Sequence, residues 1–112
     1  MNGRLTLGEN IADIGGVKAA YRAFKLWEGR QAQPAPAIVK GLTNDQLFFV
    51  SRGQGWCSVA TEEADRLQVT TDPHSPAKFR VLGPLANNPD FARVFSCEAG
   101  SPMNPKNKCE VW

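Results

Sequence analysis

Between Leu5 and Trp27 the apolar positions Leu7, Ile11, Val17, Ala20, Tyr21, Phe24 and Trp27 recur at roughly helical spacing. The pattern predicts a helix with a weakened middle, because Gly15-Gly16 costs about 1 kcal/mol per glycine relative to alanine. Glycines at that cost admit close approach of another element, so the first half of the helix is expected to pack against something large that these residues do not include. Pro34 and Pro36 make Gln31 to Ala37 an extended connection. Thr43-Asn44-Asp45-Gln46 has the form of a capping box ahead of Leu47, Phe48, Phe49 and Val50, and predicts a second helix running to about Cys57 across Gly53 and Gly55. Thr61-Glu62-Glu63 opens a short third helix ending near Leu67. Thr70 to Pro76 reads as a loop, with Ser75 and Pro76 as N-cap and first residue of a helix carrying Phe79, Leu82 and Leu85. Asn88-Pro89-Asp90 repeats that start signal for Phe91 to Phe95, and Gly100, Pro102 and Pro105 leave an irregular tail from Cys97 to Trp112. The expected fold is mainly α with long loops, and it reads as part of a domain.

Length bounds the chain to one domain at most, since 112 residues bury only a modest core. A formal charge of +2, with no run of Lys or Arg, excludes a nucleic-acid footprint or a polybasic lipid patch. The apolar stretches are too short or too interrupted for a membrane span or a signal peptide, so any export signal or membrane anchor is expected outside this chain. Cys57, Cys97 and Cys109 are odd in number and contain no C-x-x-C pair, which leaves at least one thiol without an internal partner.

Two groups of residues carry candidate chemistry. Glu9 and Asp13 lie four apart and therefore on one helix face, where like charges repel by about 0.2 to 0.5 kcal/mol unless a cation joins them. The bland alternative is a capping box in Thr6-Leu7-Gly8-Glu9, with Asp13 solvated. His74 is the single histidine, held between Pro73 and Pro76 with Asp72 placed to orient one ring nitrogen, and Arg80 follows six residues later. One histidine does not make a zinc site, and an ordinary loop residue is the competing reading. Trp112 is expected to act as an apolar plug buried against a partner surface.

Taken together, the chain resembles the C-terminal segment of the neprilysin family of zinc metallopeptidases, and most of all its endothelin-converting-enzyme branch. The resemblance is carried by Asn2-Gly3-Arg4 with Thr6 through Asp13 and Gly15-Gly16, by Ala19 to Ala23, by Leu42-Thr43-Asn44 with Gln46 to Phe49, and by Trp56-Cys57. It continues through Thr71 to Pro76, Phe79-Arg80-Val81, Gly100 to Pro105 and Lys108 to Trp112. The sequence departs in two places: Ile14 stands where the family commonly has Asn, and Arg52-Gly53-Gln54-Gly55 replaces a more apolar run that helps shape the pocket for the residue after the scissile bond.

The resemblance implies the helical C-terminal part of a zincin-type catalytic domain over residues 1–112, belonging to an enzyme that hydrolyses peptide bonds in small peptides. It makes Glu9 the third ligand of one Zn2+ ion whose other two ligands, the histidines of an H-E-x-x-H helix, come from outside this chain. Asp13 then hydrogen-bonds a ligand histidine and fixes its tautomer, His74 stabilises the oxyanion, and Arg80 grips a substrate carbonyl. No H-E-x-x-H occurs in the sequence, so this chain alone is expected to be inactive and to need the upstream part of the same polypeptide as well as a peptide substrate. The three cysteines are implied to be halves of bridges to upstream cysteines, which places the parent outside the cell or on a membrane-anchored ectodomain. The alternative is a non-catalytic truncated module that binds a partner chain or peptide. Peptide binding without zinc, measured by titration calorimetry, favours that alternative.

Overall fold

The structure is a computed structural model describing all 112 residues, with five helices and no strand. Helix α1 (Gly3–Glu28) packs on α4 (Ala77–Ala86), α4 on α5 (Pro89–Val94), and α5 on α2 (Asn44–Gln54), while α3 (Glu62–Thr71) contributes no buried residue. The long first helix starts earlier than the apolar pattern predicts. Asn2 is its N-cap and accepts from the backbone N–H groups of Arg4 and Leu5. Thr6 is therefore already inside the helix, where its hydroxyl donates to the Asn2 carbonyl, and the capping-box reading at Thr6 is overturned.

The other helix starts mostly follow the sequence signals. Thr43 and Gln46 form the reciprocal capping box, and α2 stops at Gln54, short of Cys57, with Gly55 as C-cap. Thr61 caps α3 through the Ala64 N–H, but the helix continues past Leu67 to Thr71. Thr70 and Thr71 are helical, with their hydroxyls donating to carbonyls of the preceding turn, and Asp72, extended before Pro73, ends the helix. Asn88 caps α5 through the Phe91 N–H, with Pro89 at the first position. Ser75 departs from expectation: Pro76 is the N-cap of α4, no side chain caps it, and the Ser75 hydroxyl is used elsewhere.

An aromatic cluster forms the centre. Phe49 and Tyr21 are its most buried members, stacked at 4.9 Å between ring centroids, with Phe48, Phe91 and Phe95 around Phe49. Each such aromatic pair contributes about 0.5–1.5 kcal/mol beyond area burial. Phe49 is 1% exposed because α1 and α5 close over it. Phe48 and Trp56 are only partly covered. With Ala20, Phe24, Trp27 and Ile38, Phe48 lines an open apolar groove of about 490 Å³. Leu5, Leu7 and Leu26 on α1 are also exposed, and only 10 of 112 residues are buried. The radius of gyration is 15.8 Å, against about 13 Å for a compact domain of this length. This is the geometry of a helical layer with one side uncovered.

The tail is irregular, as composition predicts, yet it is fastened. The Lys108 ammonium donates to the Ala86 carbonyl at 2.8 Å, and the Cys109 N–H donates to the Asn87 side chain. The Trp112 indole lies on Gly15: a Cβ there would meet Nε1 at 2.6 Å. Gly15 is thus the close-approach glycine, whereas a Cβ at Gly16 meets nothing. Trp112 is nevertheless 78% exposed, so the expectation of a buried plug is not met within this chain. No helix is long and apolar enough to cross a membrane.

Candidate active site

Glu9 and Asp13 project from α1 toward the loop after α3 and the start of α4. The His74 loop is bound at both ring nitrogens: Nδ1 lies 2.8 Å from Asp72 Oδ1, and Nε2 lies 3.2 Å from Glu9 Oε2. The His74 N–H also donates to Asp72 Oδ1 at 2.8 Å. That backbone bond, followed by the side-chain one, holds the Asp72 carboxyl below its ordinary pKa. Asp72 therefore orients the ring, as its spacing suggests, and Nε2 is left facing α1. Glu9 and His74 are both about half exposed.

One turn further along α1, Asp13 is 10% exposed and serves two cations. Arg80 Nε donates to Oδ2 at 2.6 Å and its Nη2 to Oδ1 at 3.0 Å, a two-pronged pair that raises the arginine's pKa. Arg52 Nη2 reaches the same Oδ1 at 3.2 Å. The cation demanded by the Glu9/Asp13 face is thus present in the chain, and the solvated-Asp13 alternative fails. Both guanidiniums lie over the Trp56 ring, Arg80 at 4.1 Å and Arg52 at 4.9 Å from its centroid. Burial pushes the Arg52 guanidinium below its ordinary pKa against the pull of Asp13.

Arg52 has a second acceptor, and the sequence explains it. Pro84 sits inside α4 and has no N–H, so the Arg80 carbonyl four residues before it lacks its helical partner. Arg52 Nη2 lies 3.4 Å from that carbonyl and fills the vacancy. Arg52 and Trp56 are the participants that residue-by-residue reasoning missed as a group. The one available signal was the break in an apolar run at Arg52.

His74, Arg80, Trp56, Asp72 and Ser75 line an open cleft of about 550 Å³ beside α3. All four expected site residues, Glu9, Asp13, His74 and Arg80, therefore converge on one corner of the molecule. The family model described as Peptidase family M13 matches residues 1–111. This chain belongs to peptidase family M13. It is 54% identical over 112 residues to endothelin-converting enzyme 1 of Homo sapiens, which covers all of this M13 chain and 14% of that protein. Identity is again 54% to the endothelin-converting enzyme homolog of Locusta migratoria, over all of this chain and 15% of that one. Neprilysin-3 of Drosophila melanogaster is 52% identical over 113 residues, 14% of its length. The cryo-EM structure of the Mycobacterium tuberculosis zinc metalloprotease Zmp1 in its open state superposes with a TM-score of 0.86 at 31% identity, covering 98% of this chain and 17% of that one. The M13 chain thus spans about 15% of the length of the curated relatives it matches.

The donor set bears on metal binding. No group of three His, Cys, Asp or Glu side chains in this M13 chain is arranged to hold a metal ion by itself. Asp13 is taken by two arginines, which leaves the half-exposed Glu9 carboxylate as the oxygen donor able to face a metal completed by other polypeptide. Cys57 and Cys109 are exposed, Cys97 is partly buried, and none is bonded within the chain.

Proposed function

We propose that this chain is the C-terminal part of the catalytic domain of a zinc-dependent metalloendopeptidase, in which Glu9 is the one metal ligand it supplies and Asp13, His74 and Arg80 serve the reaction. The observation that carries this reading is the approach of His74 to Glu9 across 3.2 Å at the edge of a cleft that also holds Arg80. A carboxylate suits zinc, and a catalytic site with three protein ligands needs two more donors from polypeptide outside these residues. When bound, zinc would supply Lewis-acid polarisation of the scissile carbonyl and a more acidic water.

The chain's own residues have distinct tasks. His74 Nδ1–H donates to Asp72 Oδ1, which fixes the ring; in the doubly protonated imidazolium, Nε2–H is then held ready to donate to the oxygen anion that develops on the substrate carbonyl. Asp13 grips Arg80 at Nε and Nη2, and Trp56 supports its flat face, so the remaining N–H groups are held at a fixed edge for a substrate backbone carbonyl. Asp13 Oδ2 accepts only from Arg80 Nε, and its second lone pair would accept from a ligand histidine arriving from upstream. With the general base and two ligands outside it, the 112-residue chain alone is inactive. The parent is an extracellular or membrane-anchored ectodomain whose other cysteines pair with Cys57, Cys97 and Cys109.

The test is made on the full-length protein. Glu9→Gln is expected to strip bound zinc and peptide hydrolysis together, whereas His74→Ala keeps zinc and lowers kcat by about 10²–10³-fold, the effect of losing one oxyanion donor. A Glu9→Gln protein that retains both zinc and activity refutes the assignment.

A further inference from the structure

We infer that Asn10 and Ser75 are positioning residues, a partly buried link that sets the distance between the His74 loop and the helix carrying Glu9. The inference rests on the peptidase reading above and adds two residues to which that reading gives no contact with metal or substrate. The Ser75 hydroxyl donates to Asn10 Oδ1 at 2.8 Å, joining a loop to a helix 65 residues earlier in the chain. Ser75 is 2% exposed. Asn10 Nδ2 donates in turn to the Thr6 hydroxyl at 3.3 Å, and Thr6, equally buried, donates to the Asn2 carbonyl. The whole relay is satisfied, which is what makes a buried polar link stabilising rather than costly.

Two features give the link a functional sense. Ser75 stands next to the start of α4 and is chemically suited to cap it, yet α4 has no side-chain cap and the hydroxyl is committed to Asn10 instead. Asn10 directly follows Glu9 and Ser75 directly follows His74, so the bond spaces the two backbone sites that must cooperate. The other ties do not do this. The Glu9–His74 contact is half exposed and is given up when either side chain takes a ligand. Asp72 fixes the ring only relative to its own loop, and Arg80 joins Asp13 from within α4. Pro73 and Pro76 stiffen the chain on either side, so a displacement of Ser75 carries His74 with it.

The experiment uses the full-length protein with Asn10→Ala, Ser75→Ala, both together, and Asn10→Asp, which keeps an acceptor for Ser75. Each alanine variant is expected to lower kcat by about 10- to 100-fold with KM within about threefold, because misplacement by about 1 Å costs up to 10² in rate. The double variant should be no worse than the poorer single, since one link is broken in every case, and Asn10→Asp should recover kcat to within about threefold of wild type. Zinc content stays at the wild-type level. Amide exchange is the readout independent of activity: residues 72–76 should exchange about tenfold faster, with 3–28 and 77–86 unchanged. Alanine variants with wild-type kcat, losses that multiply in the double variant, failed recovery by Asn10→Asp, unaltered exchange over 72–76, or faster exchange throughout 3–28 would each overturn the link. A wild-type protein that cleaves no peptide overturns the peptidase reading and the link with it, whereas a cleaving wild type with insensitive variants overturns the link alone.

Discussion

Removing the charge of Asp13 should be far more damaging than removing either positive charge it serves. In Asp13→Asn the side chain keeps its shape, but one oxygen becomes an NH₂ donor aimed at a guanidinium, and Arg52 and Arg80 are left as like charges against one indole. Breaking a buried ion pair by removing one partner costs about 3–5 kcal/mol. Here the arginines keep some solvent access, 23% and 16% of their side-chain surface, and both retain Trp56, worth about 0.5–2 kcal/mol per cation. The low end, about 3 kcal/mol, is therefore expected. At about 2–4 °C per kcal/mol for a cooperative unit of 150–250 residues, the melting temperature of the full-length protein should fall by about 6–12 °C. Arg52→Met instead leaves a balanced Asp13–Arg80 pair and relieves the burial of one guanidinium. Its cost is the Arg80 carbonyl it abandons, about 1 kcal/mol, and the cation–π contact with Trp56, about 0.5–1 kcal/mol at a part-exposed site, partly offset by that relief of burial. Combining the two substitutions should recover part of the Asp13→Asn loss, since only one unpaired cation remains. Differential scanning calorimetry of the three variants decides the matter. Equal shifts for Asp13→Asn and Arg52→Met, or strictly additive shifts in the double variant, would refute the charge accounting.

Phe49→Ala should cost about 3–5 kcal/mol, because a fully buried ring touching α1 and α5 leaves a cavity that surrounding aromatics cannot refill; thermal unfolding measures it, and a shift equivalent to less than about 1 kcal/mol contradicts the packing. Tyr21 is held above its ordinary pKa of 10.0, first by burial, so it ionises more readily unfolded than folded; its stabilising term is whole below that value and is lost as pH rises through the raised folded one. Melting temperatures measured upward from about pH 9 should consequently fall more steeply for wild type than for Tyr21→Phe, and parallel curves would exclude the effect. Cys57, Cys97 and Cys109 should each appear cross-linked to a cysteine outside residues 1–112 when the full-length protein is mapped by mass spectrometry without reduction, and three free thiols there would contradict the proposed oxidised ectodomain.

Local chemistry made much of this molecule readable in advance. Thr43-x-x-Gln46, Thr61 and Asn88-Pro89 each specify a helix start through hydrogen bonds spanning three residues, so they survive whatever the rest of the chain does. Asp72 orienting His74 is equally local, at two residues' separation. The four candidate residues Glu9, Asp13, His74 and Arg80 were legible as motif positions of the family resemblance. Their relations were not. That Asp13 binds Arg80 and Arg52, that Pro84 frees a carbonyl for Arg52, and that Ser75 serves Asn10 rather than its own helix are contacts between segments far apart in the chain, set by how α1 lies across α4. The same separation explains Phe49: periodicity marks it as apolar, but whether it faces the core or an open surface depends on α5 closing over it. A side chain's choice among acceptors is local only when no better partner folds into reach, and here the better partners arrived from tens of residues away.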